Sequence, residues 1–394
     1  MRILHVVPSY LPAYRYGGTV FATHALCAAL VRAGCAVTVF TTDVDGVGNS
    51  AVPLGVPVKR DGVEIRYFPS RWLRRLYYSP QMKRVLESEC ATFDIVHLHS
   101  VYLWPTWAAA RAALRSRTPY LLAPRGMLVR ELIERKSALV KKVWIRFIER
   151  GNVEHAAGIH VTSAAEADEL ARFGFRLPTV YEVPNGVATG RDEESAEALP
   201  RHVQDILKGD RQVILSLGRI HWKKGLDRLI GALVYVPEAL LLIVGNDEED
   251  YTPKLKKLAA NAGVSGRVIF AKPVFGAAKT ALYRKVALFA LASYSENFGN
   301  VVVEAMAEGC PVVVTPEVGA SGVVEESGGG IVASGEPAPF ADALCRLLSD
   351  ARLRAEMGGR GREWVCERYS WDQVAERMVD IYRLLIANGG RGVA

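Results

Sequence analysis

The chain has 394 residues, half of them hydrophobic and 23% charged, with a formal net charge of +7. Such a length predicts two or three domains with their own cores, and the composition is that of a globular protein. No uninterrupted apolar run nears the roughly 18–20 residues of a membrane span. The cysteines at 27, 35, 90, 310, 345 and 366 form no Cys-x-x-Cys pair, and no nucleic-acid motif accompanies the charge. A disulfide scaffold, a zinc module and a nucleic-acid partner are therefore disfavoured.

Met1-Arg-Ile-Leu-His-Val-Val7 is interrupted too soon by Pro8 to be a signal peptide, and it reads as a first buried strand. With its scattered cysteines taken as reduced, the protein is expected in the cytoplasm. In the first half, strands are expected at Ile3–Val7, Val37–Thr41, Glu64–Phe68, Ile95–His99, Tyr120–Ala123, Ile159–Thr162 and Val180–Val183. The link Pro8–Thr19 carries Tyr16, Gly17 and Gly18 and leads into a helix running to about Ala33 and stopped by Gly34. A Gly-Gly pair at a helix N-terminus allows close backbone approach to an anion, but it is equally an ordinary turn. Asp43-Val-Asp45 has the form of a metal-binding Asp-x-Asp, yet Gly46 follows it and it reads as a turn, so no metal is assigned.

Residues 1–190 hold 24 Lys and Arg against 15 Asp and Glu, and the remainder 25 against 27. The basic excess concentrates in Arg71–Tyr78 and Arg135–Arg150. On a helix, Leu139, Val140, Val143, Trp144, Phe147 and Ile148 share one face, with Lys136, Lys141, Lys142 and Arg146 largely elsewhere. Two readings stand: a core helix with a solvated basic back, or an amphipathic surface for anionic lipid. His97 and His99 end one strand. They are taken to alternate to opposite sides of the sheet, which argues against a shared metal and makes each a satisfied sheet histidine. Pro124-Arg125-Gly126-Met127 ends the next strand, and Val183-Pro-Asn185-Gly186 reads as a turn into a linker, Gly186 to Gly209, poor in large apolar residues.

Beyond it, strands are expected at Val213–Leu217, Leu240–Val244, Val268–Ala271, Val286–Ala292, Pro311–Thr315 and Gly330–Val332. This βαβ alternation argues for parallel sheets covered on both faces by helices. The expected architecture is α/β: two doubly wound Rossmann-like domains, 1–190 and 191–370, facing each other across a cleft. The tail, 371–394, reads as an amphipathic helix with Ser370 at its N-cap. Leu217-Gly218-Arg219-Ile-His-Trp-Lys223-Lys224-Gly225 follows the first strand of the second half, and its Arg219 and Lys224 could straddle a diphosphate or simply face solvent. Ser293-Tyr-Ser-Glu296-Asn-Phe298-Gly299-Asn300-Val-Val-Val-Glu304 then places one glutamate before a short helix, Asn300 to Glu308, and another within it. Carboxylates there accept from hydroxyls while cations and helix N–H groups take an anion, and a sugar nucleotide has both kinds of group.

Taken together, the glutamates with seven residues between them, the small-residue helix and the Gly309-Cys-Pro-Val-Val strand resemble the retaining nucleotide-sugar glycosyltransferases of the GT-B fold, family 4. The resemblance runs over nearly the whole chain. It implies that Glu304 holds the nucleotide ribose, Glu296 a hydroxyl of the donor hexose, and the backbone of Phe298, Gly299 and Asn300 the sugar and its phosphate. It makes Arg219 and Lys224, after the tight turn at Gly218, the clamp on the departing diphosphate. Gly17 and Gly18 become the glycine loop that reaches the donor diphosphate and the acceptor, and Gly319 lines the donor sugar pocket. Tyr16, His99 and Arg125 fall on the acceptor side. Many relatives carry His-Gly where this chain has Arg125-Gly126, so Arg125 either binds an anionic acceptor group or is structural. The implied reaction needs no cofactor and no metal: a hexose passes from a UDP- or GDP-sugar to a saccharide or lipid-linked saccharide. Under the lipid reading of the basic segment, the enzyme rests on the anionic inner face of the plasma membrane. The final helix is implied to cross back to the first domain. Two rival readings stand beside this one, a sugar-nucleotide epimerase of similar fold and a non-catalytic nucleotide-sugar-binding scaffold.

Overall fold

The computed structural model describes residues 1–130, 133, 142–189, 199–247 and 249–389. The chain divides into two compact units, Met1–Gly186 with Trp371–Ala394, and Val187–Ser370.

The first unit is built on an eight-stranded sheet in the order β10-β9-β8-β7-β1-β2-β6-β5. Its parallel strands are β1 Arg2–Val6, β2 Ala36–Thr42, β6 Val63–Phe68, β7 Ile95–His99, β8 Tyr120–Ala123, β9 Gly158–Val161 and β10 Val180–Glu182. All five residues of β7 and all four of β8 are buried, as expected where helices cover both faces of a parallel sheet. Edge strand β5, Pro57–Arg60, runs antiparallel to β6 and was not anticipated, because three of its four residues are exposed and carry no apolar pattern. The two-residue turn Asp61-Gly62, with both φ values positive, was the available signal for that hairpin. A second unanticipated hairpin joins β3 Val44–Asp45 to β4 Gly48–Asn49. Asp43 is the buried post of this turn: its carboxylate accepts from the Ser70 N–H at 2.9 Å and from Arg71 at 2.7 Å.

The helix Trp371–Ala387 completes this unit. Its Val374, Ala375, Met378, Val379, Tyr382 and Leu385 join Leu26, Ala29 and Leu30 of the helix Gly18–Arg32 in one buried cluster. Part of the expected basic helix, residues 135–141, lies outside the described residues. From Lys142 onward the expected single apolar face divides: Trp144 and Ile145 pack on the core while Val143 and Phe147 are exposed. Glu149 supplies the reason, since its buried carboxylate accepts from the Tyr102 N–H and the Trp144 indole, each at 3.0 Å, and draws that side of the helix inward.

The second unit carries six parallel strands in the order β13-β12-β11-β14-β15-β16. They are β11 Gln212–Leu217, β12 Ala239–Val244, β13 Val268–Ala271, β14 Leu288–Leu291, β15 Val312–Val314 and β16 Gly330–Val332. The stretch read as a linker is shorter than its composition implied. Arg201–Lys208 is a helix whose Val203 reaches the core, while residues 190–198 lie outside the described ones.

Candidate functional site

In the second unit the loops after β11, β14 and β15 lie against one another, and glycine makes the approaches possible. A Cβ on Gly225 (φ +60°) would stand 1.8 Å from the Ala292 carbonyl oxygen, and one on Gly319 2.0 Å from that of Asn297. Gly218, at φ +147°, turns the chain out of β11, and a Cβ on Gly245 would meet its carbonyl oxygen at 1.7 Å. No side chain fits at 225, 245 or 319 without moving backbone.

These approaches set the charged groups. Lys224, ending a short turn at Trp222–Lys224, forms an ion pair with Glu296, and both side chains are largely buried. Glu296 is held from its own backbone: its N–H donates to the Glu317 oxygen at 3.0 Å, and its carbonyl accepts from Gly319 at 2.9 Å. Phe298 is buried, its carbonyl accepting from Ala320 at 2.7 Å, and Gly299 at φ +93° opens the helix Asn300–Ala307. Arg219 is exposed beside Gly218. Glu304 lies on the second turn of that helix, where Lys279 approaches it at 3.0 Å and the Tyr283 hydroxyl donates to it at 3.3 Å. Burial first, and Glu304 second, push the Tyr283 phenol well above its ordinary pKa, so it remains a donor. The two glutamates thus meet different lysines. Lys279 and Tyr283 went unnoticed because nothing in a nine-residue helix, Ala277–Lys285, marks a residue that will meet a glutamate 21 positions later. Arg228 went unnoticed for the same reason. Its guanidinium lies 3.8 Å from the Tyr294 ring centroid, and the Tyr294 hydroxyl donates to Asp227 at 2.8 Å.

In the first unit Gly17, at φ +65°, precedes the helix that Gly18 begins, and a Cβ there would meet nothing within 4 Å. Tyr16 is tied to the β3–β4 hairpin, its hydroxyl accepting from the Gly46 N–H at 2.9 Å. The histidines correct the expectation. His97 and His99 do not point to opposite sides: their rings stack with centroids 4.2 Å apart, because side chains two apart on a strand share a face. His5 from β1, next to β7, and His160 from β9, one strand beyond β8, join them, so four buried imidazoles cluster on one face of the sheet. Arg125, at φ +56° just beyond β8, donates to His99 Nδ1 at 3.3–3.4 Å and to Asn185 Oδ1 at 3.0 Å. Asn185 therefore does more than turn the chain. Ligand atoms of His5, His97 and His99 lie within 4.8 Å of one another, the one grouping among the described residues close enough to invite a metal.

Residues 17–186 match the family described as "Glycosyl transferase 4-like domain", and residues 200–364 match "Glycosyl transferases group 1". The chain belongs to the GT-B glycosyltransferases of this group. It is 29% identical over 381 residues to a D-inositol 3-phosphate glycosyltransferase of Xylanimonas cellulosilytica, covering 91% of this chain and 89% of that one. It is 32% identical over 235 residues to a GDP-mannose-dependent alpha-(1-6)-phosphatidylinositol monomannoside mannosyltransferase of Mycobacterium tuberculosis, covering 57% and 60% of the two chains. The structure of Anabaena HepE in complex with UDP-glucose superposes with a TM-score of 0.76 at 21% identity, covering 98% of this chain and 100% of HepE.

In this glycosyltransferase the buried histidines make the first unit sensitive to acid. Burial, with Arg125 adding to it, lowers His5 and His160 to about 3 and holds His97 and His99 well below the ordinary 6.5. Between those values the unfolded chain binds protons that the native cluster refuses. Stability is therefore full above about pH 6.5 and declines as pH falls toward about 3, by roughly 1 kcal/mol per pH unit for each histidine. Melting followed by circular dichroism should show this decline below about pH 6.5, and the slope should shrink in His160→Gln. A flat profile would contradict four neutral histidines.

Proposed function

We propose that this glycosyltransferase moves a hexose from a UDP- or GDP-sugar to a hydroxyl of a lipid-linked or growing cell-surface saccharide, with retention at the transferred carbon and without a metal ion. The observation that carries the reading is the Lys224–Glu296 pair at the start of the Asn300–Ala307 helix, with Glu304 one turn further on. A cation, two carboxylates and a helix N-terminus match the diphosphate, the hydroxyls and the phosphate oxygens of a nucleotide sugar. Two similar proteins agree with that class: a GDP-mannose-dependent mannosyltransferase, and HepE, whose structure holds UDP-glucose.

Glu304, held by Lys279 and Tyr283, accepts from the ribose hydroxyls. Glu296 accepts from a hexose hydroxyl, and the backbone of Phe298, Gly299 and Asn300 holds the sugar and its phosphate beside Gly319. Lys224 leaves Glu296 for the diphosphate and, with Arg219 beyond Gly218, neutralises the charge that grows on it as the sugar departs, the task a divalent cation would otherwise serve. No side chain is needed as nucleophile; the leaving phosphate takes the acceptor proton on the same face. In the first unit Gly17 and Gly18 allow close backbone approach to a phosphate, and Tyr16 and Arg125 meet the acceptor, with His99 held behind Arg125.

The enzyme works on the cytoplasmic face of an anionic membrane. Phe147 is 73% exposed and Val143 51%, on a helix that also exposes Lys142, Arg146 and Arg150, and Trp72 stands 77% exposed beside Arg71. Exposed apolar groups ringed by cations are what a headgroup layer accepts.

A thermal-shift panel of UDP, GDP, dTDP and ADP tests the donor site. One nucleotide at about 100 times its dissociation constant should stabilise the native state by about 2.7 kcal/mol, and the shift should vanish in Glu304→Ala. No shift with any of them would remove the enzyme reading. Arg219→Ala and Lys224→Ala should each lower kcat by about 100-fold with a smaller change in donor KM, and unchanged turnover in either would refute the clamp. Sedimentation with anionic vesicles should carry the protein down at low salt and less of it as Phe147→Ser; no binding at low salt would refute the membrane role.

A further inference from the structure

The four buried histidines have only one consistent set of protons. His160 Nε2 faces the Val183 carbonyl at 2.8 Å, so it carries hydrogen and Nδ1 does not. That Nδ1 lies 3.3 Å from His97 Nε2, which must then donate, leaving His97 Nδ1 to accept from the Tyr382 hydroxyl at 2.7 Å. The second relay starts from a group that can only donate. Arg125 points Nε and Nη2 at His99 Nδ1, so His99 is protonated on Nε2 and donates to His5 Nδ1 at 2.9 Å. His5 then carries its proton on Nε2, a buried nitrogen with no partner among the described residues. Each imidazole is neutral, as its burial requires.

With the protons so placed, every unprotonated nitrogen of His5, His97 and His99 already accepts a hydrogen bond, and an ion would have to displace such a bond or shift a proton to bind. What the relay does accomplish is the orientation of Arg125. Two guanidinium nitrogens are fixed on His99 and the third on Asn185, while the loop beneath is held by Glu166, which accepts from the Gly126 N–H at 2.6 Å. Arg125 is only half-buried, and it sits in the left-handed region, a conformation costing about 1–3 kcal/mol that persists where its surroundings impose it. Of its five N–H groups, one on Nη1 and one on Nη2 take no partner among the described residues. N–H groups on two guanidinium nitrogens are donors that an oxyanion accepts from.

We infer that Arg125 is the anion-binding group of the acceptor subsite, with His99 as its positioning residue and His5 behind it, and that the acceptor carries a phosphoryl group. The inference rests on the glycosyltransferase reading above and deepens it: a chain with a neutral residue at 125 would accept uncharged saccharides, and this one selects charged ones. A phosphoryl oxyanion has two sources here, the acceptor and the donor diphosphate, and they respond differently to substitution. If the acceptor supplies it, the affinity for UDP does not depend on Arg125.

The test uses the full chain with ¹⁵N-labelled histidine and arginine, inorganic phosphate as the probe, and UDP binding as the independent reporter on the second unit. His5, His97, His99 and His160 should each show the neutral Nε2–H pattern at about pH 7. Phosphate should move the Arg125 Nε–H signal in a saturable manner. His99→Asn keeps an acceptor where Nδ1 stood and should stay within about threefold of the parent, whereas His99→Leu and Arg125→Gln should weaken the response at least about tenfold, one charge-assisted bond. UDP affinity should be unchanged in all three variants. An Arg125 signal indifferent to phosphate would overturn the inference, as would normal phosphate binding by His99→Leu. A loss of UDP affinity in Arg125→Gln would assign the guanidinium to the donor instead, and histidine signals moved by stoichiometric Zn²⁺ would overturn the relay. Failure of the parent protein to bind any nucleotide would refute the glycosyltransferase reading while leaving the Arg125 result to stand or fall separately.

Discussion

Main chain lying on main chain is the constraint on which the second unit's site depends. At Gly225, Gly245 and Gly319 a Cβ would come within 2.0 Å of a carbonyl oxygen, so the loops after β11, β12, β14 and β15 can be brought together only because those positions are glycine. From that contact follow the placement of Lys224 on Glu296, the pairing of residues 296–298 with 317–320, and the direction of the Asn300–Ala307 helix. A largely buried Lys–Glu pair is a weak source of stability, since desolvation offsets most of its attraction. Its value is that both charges are already stripped of water and aimed when a ligand comes to exchange with them.

The first unit meets the same problem with different means. There the positive group is held by uncharged imidazoles: neutral His99 accepts from Arg125 without cancelling its charge, which an aspartate in the same place would do. The guanidinium is left fixed, desolvated on one side and still cationic. The helix Trp371–Ala387 belongs to this arrangement, because the Tyr382 hydroxyl closes the His97–His160 relay and its neighbours bury the helix Gly18–Arg32 that the glycine loop opens.

Legibility followed burial. Strands covered on both faces, such as Ile95–His99 and Tyr120–Ala123, were readable to the residue because a parallel strand with no solvent face is a mostly apolar run. Pro57–Arg60 was not, since an exposed edge strand needs only its backbone to pair and places no demand on its side chains. Arg201–Lys208 hid in a polar stretch because a single buried valine is enough to seat a short helix. The placing of His97 and His99 on opposite sides was an error of period, and it concealed the cluster: once the two share a face, the adjacent β1 and, beyond β8, β9 become the place to look for more.

The residues whose type is demanded by chemistry or by backbone space were determined by sequence alone: the two glutamates, the Gly218–Gly225 segment with its cations, the Gly-Gly pair before the first helix, and with them the family. Those are local requirements, written within a few positions of one another. Partnership was decided only by the tertiary structure. Tyr283 reaches Glu304 across 21 residues, His5 reaches His99 across 94, and Tyr382 reaches His97 across 285. Such distances carry no pattern in a single chain. Strand order in the sheet, and the packing of the last helix against the first, bring those atoms within hydrogen-bonding reach.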